Sequence, residues 1–382
     1  MSYDGGGYLA EAGGAFGVGM KRFLDIWTGE KTGSSGEKLT RKAIDEYTWE
    51  KLEDTVSFAV ANSPFYREKI GKNAGYQAYE NGRATFEEIF AGLPFTTGDE
   101  LRERGIEFLC VSPGIISRIV TLDTGGTTGK PKRIFFTEED QDLTVDYFRN
   151  GMQLLTDSSD RILILMPAGA PGSIGRLLAE AVEGFGAVAE VYGLPSMIPP
   201  LDGRAENAEE AAGILELMKK KGVTSVVAVP THMRMLAEEA LRQNRETGTQ
   251  IPHLRTVLLS AEYVKEEDSR ITEEVFGCRV YEHYGMTEMG LGCAVSCGCG
   301  RGYHVREADL YLEIIDPDTG RAAPPGETGE IVFTTLTRKG MPFIRYRTGD
   351  MSRWINESCP CGSILKRLDK VGERKEIKGY LR

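Results

Sequence analysis

Between residues 160 and 290 the chain alternates short apolar runs with longer amphipathic ones, and this alternation narrows the fold more than any other feature. RILILMP (161–167), TSVVAVP (224–230) and RTVLLSAEYV (255–264) read as buried strands. GRLLAEAVEGFG (175–186), ILELMKKKG (214–222) and THMRMLAEEALRQNRETG (231–248) read as helices that close at glycine. Strands and helices of these lengths in alternation imply parallel βαβ units, so the fold class is α/β and a ligand belongs beyond the carboxyl ends of the strands. LSAEYV (259–264) is one such end. Upstream, residues 37–110 read as helical: AIDEYTWEKLEDTVSFAVAN spaces its apolar residues as a helix does, and SPFYREKI restarts the chain at a Ser-Pro break. Downstream, DLYLEIIDPDTGRAAPPGETGEIVFTTLT (309–337) carries turn chemistry between alternating runs, which predicts a small sheet or barrel.

Three short segments carry chemistry. TLDTGGTTGKPKRIFFT (121–137) packs glycines, threonines and lysines into one loop, a composition suited to phosphate: glycines turn backbone N–H groups outward, hydroxyls donate, lysine adds charge. It is not a Walker loop, because Pro131 follows Gly129-Lys130 where serine or threonine would hold magnesium. Ile115, Ile116, Ile119 and Val120 before it, and Ile134, Phe135 and Phe136 after it, predict strand, loop, strand. A plain glycine turn is the simpler alternative; the density of hydroxyls and lysines favours a nucleotide phosphate site. In VYEHYGMTEMG (280–290), Thr287 beside Glu288 suits Mg²⁺ and phosphate, although alone it equally suits a helix cap. IRYRTGD (344–350) ends in Asp350, able to accept both hydroxyls of a ribose, or simply to close a Gly-Asp turn.

In that order, TGGTTGKPK, YGMTE and YRTGD resemble the AMP-forming adenylating superfamily of acyl-CoA and aryl-CoA ligases, luciferases and peptide-synthetase adenylation domains. The similarity is closest to the phenylacetate-CoA ligase family, through NSPFYREKI (62–70), LPFTTGDELR (93–102), LSAEYV and MPFIRYRTGD (341–350), and it runs from about residue 45 to 376. The resemblance implies the large N-terminal domain of an adenylating enzyme, made of βαβ subdomains and a small β-rich one. It implies an N-terminal helical segment (1–110), a nucleotide- and acyl-binding core (111–290), a β-rich subdomain (291–366) and a hinge remnant (367–382). By this likeness Thr124, Gly125, Gly126, Thr127, Thr128, Gly129 and Lys130, with Lys132, hold the β- and γ-phosphates of ATP. Ser260, Ala261 and Glu262, with Glu282, His283, Tyr284 and Gly285, surround adenine, Tyr284 stacking on it. Thr287 meets the α-phosphate, Glu288 binds magnesium, Asp350 takes the ribose and Arg374 touches ribose or phosphate from the hinge. The acyl pocket is expected beside AGAPGSIGR and THMRM, with Ala168, Gly169, Ala170 and Thr231 as contacts; His232 reads as structural.

The resemblance implies ATP-dependent conversion of a carboxylic acid, with an aryl or phenylacetate-like acid as the candidate, to an acyl-adenylate with release of pyrophosphate, then thioester formation with coenzyme A. A non-CoA acceptor, and a non-catalytic nucleotide or acyl-adenylate binding protein, are the alternatives. Family members continue past the hinge into a mobile C-terminal lid; here RLDKVGERKEIKGYLR keeps Arg374, has Glu373 and Glu376 where the family has glycine and aspartate, and ends at Arg382, so either a shortened piece of a longer protein or a natural lidless form is expected.

Cysteine usage adds a second site. Cys293, Cys297 and Cys299 precede His304, and Cys359-Pro-Cys361 follows, in a chain with seven cysteines and four histidines. Four soft ligands of this kind suit tetrahedral zinc. Some phenylacetate-CoA ligase relatives carry a similar pattern, which favours Cys297, His304, Cys359 and Cys361 as a structural site; a Cys₄ set using Cys293 or Cys299, and plain buried thiols, remain open. A net charge of -11 with no basic cluster argues against nucleic acid. Residues 1–23 lack the apolar run of a signal peptide or membrane span, so a cytoplasmic location is expected, and a homodimer is compatible with these features.

Overall fold

The computed structural model describes residues 22–34, 38–122, 130–194 and 205–372 of the 382. Six helices come first among them: α1 (Phe23–Lys31), α2 (Arg41–Asn62), α3 (Pro64–Lys69), α4 (Ala74–Glu80), α5 (Phe86–Phe90) and α6 (Gly98–Arg104). The Ser-Pro break works as the sequence suggests: Ser63 ends α2 in extended backbone, accepts from Tyr66 N and caps α3, with Pro64 in the first turn. A hairpin follows, β1 (Arg118–Leu122) and β2 (Lys132–Phe136), antiparallel with Leu122 opposite Lys132. The strand–loop–strand expectation is met on both flanks; Thr124 to Gly129 lie outside the described residues.

The α/β part runs α7 (Glu138–Met152), β3 (Arg161–Ile164), α8 (Ile174–Glu183), β4 (Val188–Val191), α9 (Ala205–Lys221), β5 (Ser225–Ala228), α10 (Pro230–Thr247), β6 (Thr256–Leu259), α11 (Glu266–Phe276) and β7 (Arg279–Tyr284). Strands β4, β3, β5, β6 and β7 pair in parallel in that spatial order. Their residues alternate between two cores, as strands buried on both faces must. Ile162, Ile164, Val227 and Leu258 pack toward α7 and α8, while Leu163, Val226, Val257 and Leu259 pack toward α9, α10 and α11. Gly248 and Gly277 close α10 and α11 at φ of 68° and 62°, the left-handed stop that glycine adopts without strain.

The small sheet expected after residue 290 forms, but it does not take in all of 291–366. β8 (Ala294–Val295) and β9 (Tyr303–Val305) extend the large sheet beyond β7, and β13 (Trp354–Ile355) and β14 (Arg367–Leu368) complete it to nine strands. Only β10 (Leu310–Ile315), β11 (Gly329–Thr335) and β12 (Tyr346–Ser352) stand apart, as a three-stranded antiparallel sheet packed on the N-terminal helices. Two- and three-residue strands carry no readable periodicity, so their pairing is settled by tertiary contacts. At the entry to β12, Arg345 holds a left-handed φ of 46°. Its side chain accounts for that backbone: it donates to Ala91 O and Leu93 O, each at 2.6 Å, and forks onto Glu313 at 3.0 and 2.9 Å. Thr96 bonds the backbone on either side, tying the helical layer to β12.

Candidate functional site

The carboxyl ends of β6 and β7, the start of β12 and the foot of the β1–β2 hairpin meet at one cleft. Beyond β6, Ser260-Ala261-Glu262 turns out of the sheet with Ala261 at φ 68°, a left-handed value costly for alanine and typical of backbone held for a ligand. Ala261 and Glu262, with His283, Tyr284, Gly285, Asp350 and Lys370, line an open cavity of about 290 Å³, at the lower edge of ordinary ligand sites; Ser260 lines a smaller cavity beside it. Tyr284 Oη donates to Asp350 Oδ2 at 2.8 Å. Burial, and then Asp350 itself, push the Tyr284 phenol well above its usual range, so it stays protonated and keeps donating. Asp350 N is held in turn by Thr348 Oγ1 at 3.0 Å.

On the turn after β7, Thr287 is half-buried, while Glu288 is 1 % exposed. Its Oε1 accepts from Lys132 Nζ at 2.5 Å and from Tyr346 Oη at 3.1 Å. A carboxylate this buried needs such partners. Arg338 fixes the turn from beneath: it donates to Glu288 O at 3.1 Å and Phe135 O at 2.7 Å, clamping the hairpin to the loop. Burial lowers the Arg338 pKa to about 10, and Asp140 and Glu288 oppose that drop. The group remains cationic at neutral pH.

The structure therefore brings together Lys132, Glu288, Tyr284 and Asp350, as the sequence implies, and adds Tyr346, Tyr303 and Lys370. Tyr346 sits inside IRYRTGD, where it reads as a spacer until the fold turns its hydroxyl onto Glu288. Other expected residues have different neighbours. Glu282 accepts from Tyr303 Oη at 2.6 Å. Thr231, at the start of α10, donates through Oγ1 to Glu262 at 2.6 Å. Ala168, Gly169 and Ala170 follow β3; Ala168 O and Ala170 O accept from Arg176 and Ser173, and the three line neither this cleft nor the smaller cavity beside it. Met166, Ile174 and Leu178 from the same region do line the smaller one. Lys130 is exposed; Arg374 lies outside the described residues.

A second cluster lies between β9 and the loop before β14. Cys297, His304, Cys359 and Cys361 bring one ligand atom each to within 4.8 Å of all the others. Cys297 Sγ is 3.5 Å from Cys359 Sγ, and Cys361 Sγ is 3.4 Å from His304 Nε2. Tetrahedral zinc with sulfur at about 2.3 Å needs ligand–ligand edges of about 3.8 Å, so modest adjustment of these side chains fits the ion. The contact with Cys361 chiefly, and that with His304, lower the Cys297 thiol pKa against burial, while the contact with Cys297 raises that of Cys361, so the two sulfurs share one proton that an arriving zinc would displace. Cys299 turns its thiol to Cys297 O at 3.4 Å and Cys293 is buried elsewhere, so neither joins this set. Arg367 braces the surrounding loops through Arg301 O and Glu357 O.

Comparisons with known proteins agree with this geometry. The family described as AMP-binding enzyme matches residues 122–336. A phenylacetate-coenzyme A ligase of Thermus thermophilus is 28% identical over 345 residues, covering 88% of this chain and 71% of that one. One of Escherichia coli is 27% identical over 334 residues, covering 86% and 70%. Among solved structures, a 2-hydroxyisobutyryl-CoA ligase in complex with 2-HIB-AMP and CoA superposes with a TM-score of 0.72 at 23% identity, over 88% of this chain and 69% of that chain. No described helix is long and apolar enough to cross a membrane.

Proposed function

The chain belongs to the AMP-binding enzyme family, as an AMP-forming acid–CoA ligase of the phenylacetate-CoA ligase kind, and from that premise we propose how its own residues carry out adenylation. A carboxylate oxygen of the acid attacks the α-phosphorus of ATP, the bond to the bridging β-oxygen breaks, and pyrophosphate leaves with the electron pair. The coenzyme A sulfur then attacks the acyl carbonyl, AMP departs, and the thiol proton is released. Neither step needs a strong base, so positioning and charge neutralisation supply the catalysis.

Asp350 receives the ribose hydroxyls, held in place by Tyr284. Tyr284 and the Ala261–Glu262 turn flank the base, and Thr287 meets the α-phosphate. Lys132 moves from Glu288 to the phosphates as they arrive. The freed Glu288 carboxylate is a hard oxygen donor of the kind magnesium uses with phosphate oxygens, and the ion would supply charge neutralisation on the leaving pyrophosphate. The acid is of phenylacetate type, its apolar part directed toward the cavity beside His283. Cys297, His304, Cys359 and Cys361 hold a structural zinc, since all four positions are protein ligands and none is left for water.

The observation that carries this reading is the Lys132–Glu288–Tyr346 contact beside the Tyr284–Asp350 pair. Its test is acid-dependent exchange of labelled pyrophosphate into ATP. Glu288→Gln, which keeps the shape and loses the charge, is expected to cut exchange by about 10²-fold or more with an unchanged circular dichroism spectrum; native-level exchange in that variant would remove Glu288 from the role.

A further inference from the structure

His283 lines two cavities, the nucleotide cleft and a smaller one behind it. The smaller is walled by Phe148 and Met152 of α7, Leu178 of α8, Met166 beyond β3 and Leu258 of β6, and holds about 20 Å³. That is room for roughly one water-sized group. Two polar atoms stand out in this apolar setting. His283 Nε2 and Tyr147 Oη are both buried, and neither has a hydrogen-bond partner among the described residues. Tyr147 as a whole is 1 % exposed.

Buried polar atoms are nearly always paired, so two left open at one cavity mark a place that a ligand completes. The His283 ring is not free to turn away. Its Nδ1 lies 2.8 Å from Ser260 Oγ, and Tyr147 and Phe148 pack against it at ring-centroid separations of 6.1 and 6.3 Å. A Cβ at position 292 would collide with the Tyr147 ring and crowd His283 Nε2, so glycine there keeps both side chains where they are. Burial, with Arg306 adding to it, lowers the His283 pKa to about 4, so the imidazole is neutral at ordinary pH.

The chemistry then selects the missing group. Ser260 can donate to Nδ1 or accept from it, which leaves Nε2 a donor in one tautomer and an acceptor in the other. A hydroxyl satisfies both cases. A second carboxylate or an ammonium would be stranded in an apolar chamber, and a methyl would leave the nitrogen unpaired. We infer that the acid activated by this protein carries a hydroxyl on its apolar part, received by His283 Nε2 with the Tyr147 hydroxyl beside it. The inference rests on the adenylation reading above, because that places the acid at this wall.

The test uses two matched acid pairs, phenylacetate with 4-hydroxyphenylacetate and butyrate with 4-hydroxybutyrate, in pyrophosphate exchange. The hydroxylated member of at least one pair is expected to show higher kcat/KM on the order of 10²-fold, as sites built to bond a hydroxyl reject the analogue that lacks it. In His283→Phe that ratio should fall to about one whatever the overall rate, and the hydroxy acid with ATP should no longer raise the melting temperature beyond what its partner does. Equal use of both members of both pairs would show that the cavity takes only water, and would overturn this inference while leaving adenylation standing. A preference that survives in His283→Phe would overturn it as well. No exchange with any acid would defeat the adenylation reading and this one together.

Discussion

The nucleotide cleft and the cysteine–histidine cluster are built on the same sheet and solve opposite problems. In the cleft, carboxylates are held by partners far apart in the chain: Glu288 by the Lys132 cation, Asp350 by the neutral Tyr284 hydroxyl. On the reading proposed above, Lys132 leaves Glu288 when a nucleotide enters, while Tyr284 stays on Asp350. In the cluster, four soft atoms from two short segments converge and have no further position to offer. In that reading the cleft gives up Lys132 to substrate, while the cluster is completed by the zinc proposed for it. A buried group can thus be paired for exchange or for permanence, and the identity of its partner tells which.

Metal removal tests the permanent side and carries the largest expected effect. Elemental analysis should find about one zinc per chain, and prolonged chelation should lower the melting temperature by on the order of 10 °C or abolish cooperative unfolding, because metal-binding energy is folding energy here. Metal-free protein indifferent to chelator would erase the contrast. Next comes Lys132→Met, which leaves Glu288 buried without its cation. A loss of about 3–5 kcal/mol in unfolding free energy is expected, against about 1 kcal/mol for Tyr346→Phe; equal losses would mean that the ion pair is no more than one hydrogen bond among others. A smaller effect than that of Lys132→Met concerns His283. Its folded pKa of about 4 lies below the unfolded value of about 6.5, so the neutral ring's stabilisation is full above pH 6.5 and is lost as pH falls toward 4. Between pH 7 and 5 the native protein should lose on the order of 1–2 kcal/mol that His283→Phe does not lose, measured by urea unfolding of both.

Much of this architecture is readable before folding. The runs at 161–167, 224–230 and 255–264 are apolar on both faces because helices cover both faces, and no other common arrangement produces such text. The four residues of the cysteine–histidine cluster are legible because histidine and cysteine are scarce and chemically distinct. Tyr346, Lys370 and Tyr147 are not legible in the same way. Each is an ordinary side chain whose role depends on what β12, the segment after β14 or α7 is packed against. The same holds for β8, β9, β13 and β14: too short for a period, they join the large sheet only because β7 offers an open edge. His283 falls between the two cases. Its motif marks it as an adenine neighbour, yet its buried nitrogen belongs to the chamber on the acyl side.

β9 is three residues long, and two of them in succession serve the two regions: Tyr303 walls the cleft and holds Glu282, and His304 is a cluster ligand. Neighbours on a strand point to opposite faces, so a single peptide plane is common property of both. Anyone redesigning the cysteine–histidine cluster will therefore be editing the floor of the cleft from below, and the two cannot be tuned as separate instruments.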